Sequence, residues 1–118
     1  FLIKEYKYAI KKFSFLLPSG SVNKNETPLQ SAKKELLEEG GLKASKWTFL
    51  GTTHPFPTNI TTTVYLYLTR DVKQVQKPEA GVSLYKFSIS KVKKMIDQNK
   101  ITHSGSLVCL LKYFYEKK

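Results

Sequence analysis

Cysteine is nearly absent from this chain: Cys109 is the only one in 118 residues. One thiol cannot close an intrachain disulfide. That excludes a secreted, disulfide-stapled scaffold and predicts a reducing, cytoplasmic setting. Cys109 and two histidines are also too few for a structural zinc site, which usually takes about four such ligands. No apolar run approaches the ~18–20 residues of a membrane span. Arginine is equally scarce, with Arg70 alone against nineteen lysines. Arginine is the preferred bidentate reader of guanine and phosphate, so its scarcity weakens the nucleic-acid reading that a net charge of +11 raises. The lysines are scattered rather than gathered into a stripe, which leaves nucleic acid a secondary partner class. Phe1-Leu2-Ile3 meets charge too soon, at Lys4 and Glu5, to be a signal peptide. The chain opens without methionine, and the front of the domain is expected to be missing.

What is present is ordinary globular material. The chain is 41% hydrophobic and 25% charged, which argues against wholesale disorder. The length fits a single domain over residues 1–118. Phe1–Ile10 and Phe13–Leu17 read as strands, the second closed by the Pro18-Ser19-Gly20 turn. Thr27-Pro28 opens a helix through Glu39, with threonine as cap and proline at the first helical position. Gly40-Gly41 ends it. Trp47–His54 and Thr62–Arg70 read as strands, residues 71–81 as a loop, and Val82–Phe87 as a further strand. Ser88 or Ser90 caps a helix to about Gln98, and a last helix runs from about Ser104 to Tyr115. Strands and helices interleave without a regular βαβ alternation, so a mixed sheet flanked by helices is predicted. Cys109 falls in the apolar pattern of the last helix and reads as a structural thiol. Trp47 reads as core, His54 as a loop residue, and His103 lies just ahead of the last helix with no evident partner.

Four of the nine acidic residues lie between Glu26 and Glu39. Glu35, Glu38 and Glu39 are spaced i, i+3, i+4, which puts their carboxylates on one helical face. Like charges this close repel unless something neutralises them. A hard divalent cation would do so, and Mg²⁺ prefers oxygen ligands shared with substrate phosphates. An ordinary solvated acidic face is the competing reading of the triplet alone.

The segment Gly20–Leu42, GSVNKNETPLQSAKKELLEEGGL, decides between them. It resembles the Nudix box, G-x5-E-x7-R-E-U-x-E-E-x-G-U with U aliphatic. Gly20, Glu26, Glu35, Leu36, Glu38, Glu39, Gly41 and Leu42 fall at the required spacings, eight of nine defined positions. The departure is Lys34, where the family has arginine. The resemblance implies an α/β/α sandwich with a mixed sheet and a Mg²⁺-dependent hydrolase, Mn²⁺ being the usual substitute. It implies that Glu38 and Glu39 are the main metal ligands, that Glu35 is a third ligand or a base, and that the Gly20 carbonyl adds a further ligand. Glu26 is expected to pair with Lys34, more loosely than with the planar fork of arginine.

Outside the box the chain is similar to ADP-ribose and nucleotide-sugar pyrophosphatases. Lys7 falls where those proteins carry a basic residue near the substrate phosphates. Pro57 stands 16 residues after Gly41, as that subfamily's proline does, and Phe56 beside it is a candidate pocket residue. Glu79 is the available candidate for a loop carboxylate that acts as base. The resemblance implies cleavage of a nucleoside diphosphate linked to another moiety, with ADP-ribose or a nucleotide sugar first. A homodimer is the assembly that subfamily implies. The alternatives are a pyrophosphatase for nucleoside triphosphates or capped RNA, and a Nudix-fold nucleotide-binding module without turnover.

Overall fold

The computed structural model describes residues 1–7, 12–22, 24–54 and 63–116, without the side chains of residues 5–7, 12 and 13. Strands β1 (Leu2–Lys7) and β2 (Lys12–Leu16) pair antiparallel, Ile3 opposite Leu16. Leu2 and Ile3 are adjacent and both buried, so their side chains point to opposite faces and β1 is covered on both. Helix α1 follows (Pro28–Gly40), then β3 (Leu42–Thr53) and β4 (Val64–Gln74), which form an antiparallel ribbon. The short β5 (Ser83–Tyr85) returns to the other edge of β1, giving the order β2-β1-β5. Helices α2 (Ile89–Asp97) and α3 (Ser104–Glu116) complete the chain. Every ladder among the described residues is antiparallel. None of the described helices is long and apolar enough to cross a membrane.

The layering follows from which faces are apolar. Leu2 on β1 packs with Val92 and Met95 of α2 and with Ile101, and α3 adds Leu107, Leu110 and Phe114. Helices α1 and α3 both lie against the β3–β4 ribbon. The result is the layered α/β architecture expected from the sequence.

Helix α1 matters most for the site, and its limits are set locally. Thr27 Oγ1 accepts the Gln30 N–H at 3.1 Å, and Gln30 Oε1 accepts the Thr27 N–H at 2.9 Å. This reciprocal box satisfies two amides that the first turn otherwise leaves open. Replacing Thr27 with alanine should cost about 1 kcal/mol in a chemical-denaturation midpoint series. An unchanged midpoint would mean that the box contributes nothing here. At the other end Gly41 caps the helix at φ +68°, its N–H on the Leu37 carbonyl.

Two boundaries differ by several residues from the sequence reading. Residues 71–74 are strand, not loop: β4 runs on to Gln74, which pairs with Leu42. The polar composition of Asp71–Gln74 hides this, and Asp71 itself sits at φ +54°, a region that aspartate tolerates better than most residues. The partner strand decides the matter, because β3 begins directly after the Gly41 cap and offers its own edge for pairing. Strand β3 accordingly starts at Leu42, five residues before the expected Trp47.

Candidate active site

Two turns of α1 present Glu35, Glu38 and Glu39, and the tertiary structure treats them differently. Glu39 is buried, 9% exposed. Its Oε1 accepts the Ser19 N–H at 2.7 Å, a charge-assisted bond that fixes the turn after β2. Glu35 is half-buried and hydrogen-bonds the Glu39 side chain. Glu38 is exposed. Gly20 closes the arrangement: a Cβ there would strike the Glu35 carboxyl group. Any side chain there would displace the Glu35 carboxyl group, so glycine lets the turn lie against it.

Burial raises the Glu35 pKa above its ordinary value, and the charge of Glu38 adds to the rise. Glu79 pushes the same way, while Lys34 and the hydrogen bond from Glu39 oppose it. Native Glu35 thus holds its proton more tightly than the unfolded chain does. In that window the native state binds more protons, so stability is fully present below the unfolded pKa. It falls as pH rises through the folded one. With a chelator present, the Tm should therefore fall across that range, and Glu35→Gln should flatten part of the fall. Parallel pH profiles for the two proteins would dismiss the effect.

The structure also brings Glu79 to the acidic helix. Its backbone N–H donates to the Glu39 carbonyl at 3.1 Å, and its charge is felt at Glu35. Glu26 is held differently from the expectation. Its Oε1 accepts from Ser31 Oγ at 3.3 Å, and among the described residues no Glu26–Lys34 ion pair forms. The reason is geometric: Ser31, buried on the first turns of α1, faces back toward the loop, whereas Lys34 is exposed and acts on Glu35. Phe56, Pro57 and the side chain of Lys7 lie outside the described residues.

Glu35 and Gly20 line a cavity of about 880 Å³, together with Trp47, Tyr65, Tyr67 and Tyr113. That volume is in the range of small-molecule sites, about 300–1,000 Å³. Cys109 borders the same space with its Sγ 3.9 Å from the Tyr67 carbonyl, and burial pushes its thiol pKa up. A thiol so placed is a packing group rather than a nucleophile.

Among the described residues no three histidine, cysteine or acidic side chains converge into a finished cation cage. The donor set nevertheless fits a hard divalent cation. It is all oxygen, it sets the Glu35 and Glu39 carboxyl groups close enough to act on each other, and Glu38 is exposed on the same helix.

A glycine turn laid on a carboxyl pair, beside an aromatic-lined cavity in an α/β layer, defines a protein built around one acidic centre. The chain belongs to the NUDIX domain family, whose sequence profile matches residues 1–104. No curated protein matches it. Among solved structures it is similar to an ADP compounds hydrolase at 17% identity and a TM-score of 0.85. That match covers 97% of this chain and 63% of the other, so the chain spans under two thirds of that relative. It is also similar to a NUDIX hydrolase from Nitrosomonas europaea at 20% identity and a TM-score of 0.71, covering 99% of this chain and 81% of the other. Identities this low carry the fold and nothing finer.

Proposed function

We propose that this domain is a Mg²⁺-dependent Nudix hydrolase. It cleaves the pyrophosphate bond of a nucleoside diphosphate linked to another moiety, ADP-ribose or a nucleotide sugar, releasing a nucleoside monophosphate and a sugar phosphate. The observation that carries this reading is the Glu35–Glu39 carboxyl pair seated against Gly20, with Glu38 and Glu79 beside it. A binding module that never turned over would have no use for an acidic centre that repels its own ligand.

Glu35, Glu38, Glu39 and the Gly20 carbonyl are the groups that would hold Mg²⁺, with Mn²⁺ as substitute. The bound cation supplies a lowered pKa for the attacking water and screens charge growing on the phosphate oxygens. The chain's own residues do the rest. Glu39 fixes the turn through Ser19, so the Gly20 carbonyl stays beside the helix. Glu79, tied to α1 by its backbone, is the carboxylate we assign to accept the water's proton. The aromatic lining of the cavity offers flat apolar surface for a nucleoside. The surplus of lysine draws a polyanionic substrate toward the domain. The same fold serves an ADP compounds hydrolase, so the architecture can accommodate a substrate of this class.

A substrate panel with Mg²⁺ tests the reading. AMP and ribose 5-phosphate from ADP-ribose are the expected products. Pyrophosphate from nucleoside triphosphates, or a monophosphorylated end on capped RNA, would move the domain to the other pyrophosphatase class. Nucleotide binding without any product would make it a binding module.

A further inference from the structure

The turn that carries Gly20 is anchored from the far end of the chain. The Leu17 N–H donates to Ser106 Oγ at 2.9 Å, across 89 residues of sequence. Ser106 is 2% exposed, so its hydroxyl has no water to fall back on. Its own proton goes to His103 Nδ1 at 2.8 Å, and the Ser106 N–H reaches the same nitrogen at 3.2 Å. A nitrogen that accepts both bonds carries no proton, which places the neutral ring's proton on Nε2. The chain of contacts then runs from His103 through Ser106 to Leu17. Pro18 follows, its φ fixed by its ring. Next comes Ser19, whose N–H holds Glu39, and then Gly20, against which Glu35 lies.

We propose that Ser106 is a positioning residue for the hydrolytic centre, with His103 orienting its hydroxyl. It clamps the start of α3 to the turn after β2, and so sets where the Ser19 N–H and the Gly20 carbonyl stand relative to Glu35 and Glu39. Packing alone does not require this arrangement. A buried hydroxyl costs free energy unless its bonds are made, and an apolar residue would fill the same space at the head of α3. Ser106 touches neither carboxylate, so its effect passes through the backbone of residues 17–20. The role rests on the hydrolase reading above, while the clamp itself is readable without turnover.

The test compares wild type with Ser106→Ala, Ser106→Thr and His103→Ala, by amide hydrogen exchange and by kinetics on the substrate the panel identifies. In Ser106→Ala, exchange at Leu17 and Ser19 should quicken at least tenfold, while Leu66 and Leu68 in the β3–β4 ribbon keep wild-type protection. The kcat should fall about tenfold with KM within about twofold, because substrate contacts are untouched while the centre is misplaced. Threonine, which keeps the hydroxyl, should restore much of both, and His103→Ala should show the same pattern more weakly. Unchanged exchange at Ser19 would overturn the proposal, as would a uniform quickening through the whole domain. An active wild type whose kcat survives Ser106→Ala would reduce Ser106 to a helix anchor and likewise overturn it. A wild type that turns over nothing would remove the hydrolase reading, leaving the exchange data to decide the clamp.

Discussion

Glu39→Gln is expected to lower turnover by at least about a hundredfold, the scale of losing one preorganised electrostatic group, while the fold survives. The amide is nearly isosteric with the carboxylate. Its oxygen keeps the Ser19 N–H bond, and its NH₂ group can donate to the neighbouring Glu35 carboxylate. What disappears is the negative charge and with it a cation ligand. Glu38→Gln should have an effect of similar size with even less structural consequence, because Glu38 is exposed. Steady-state rates with saturating Mg²⁺, read beside circular dichroism, separate catalysis from folding. Near-wild-type rates in both variants would remove the metal-site assignment from α1.

The second large effect is on stability and contrasts two neighbouring glycines. Gly41→Ala should cost at least about 3 kcal/mol, and roughly 10 °C or more of Tm for a domain this size. Gly41 sits at φ +68°, where an L side chain is strained, and an added Cβ would overlap the Gln76 backbone carbonyl. Backbone cannot step aside as a side chain can. The Gly41 carbonyl accepts from Val75 at 2.8 Å and from Gln76 at 3.3 Å, so the same displacement would disturb the segment that leads to Glu79. Gly40→Ala should be neutral or stabilising. That residue is helical, its new Cβ would meet Leu42 Cδ1 at an ordinary 3.4 Å, and alanine is the better helix former by about 1 kcal/mol. Equal melting temperatures for the two variants would refute the assignment of Gly41 as the left-handed cap.

Much of this was legible in residue order because it depends on neighbours. Thr27, Pro28 and Gly41 delimit α1 through contacts within a few residues, and helical spacing alone puts three glutamates on one face. The Pro18-Ser19-Gly20 turn announces the end of β2 in the same way. The partner of Glu26 was less legible. Family spacing pointed to Lys34, but Ser31 donates the bond to Glu26, since helix phase fixes which residues share a face and not which of them turns back toward the preceding loop. The extension of β4 through Gln74 was hidden as well: residues 71–74 look like loop until Leu42–Ala44 pair with them.

Residue order thus determined the family, the capped helix and the three carboxylates, all of them written within 23 consecutive residues of the box. Tertiary structure decided how those carboxylates differ. It buried Glu39 under the Ser19 amide, left Glu38 in solvent, raised Glu35 by burial and by its neighbours, and delivered Glu79 from a distant loop. It also gave His103, partnerless in the sequence, the buried hydroxyl of Ser106 and through it a hold on Leu17. Periodicity sets angles about one helix axis, whereas burial and long-range hydrogen bonds depend on what the rest of the chain lays against that helix.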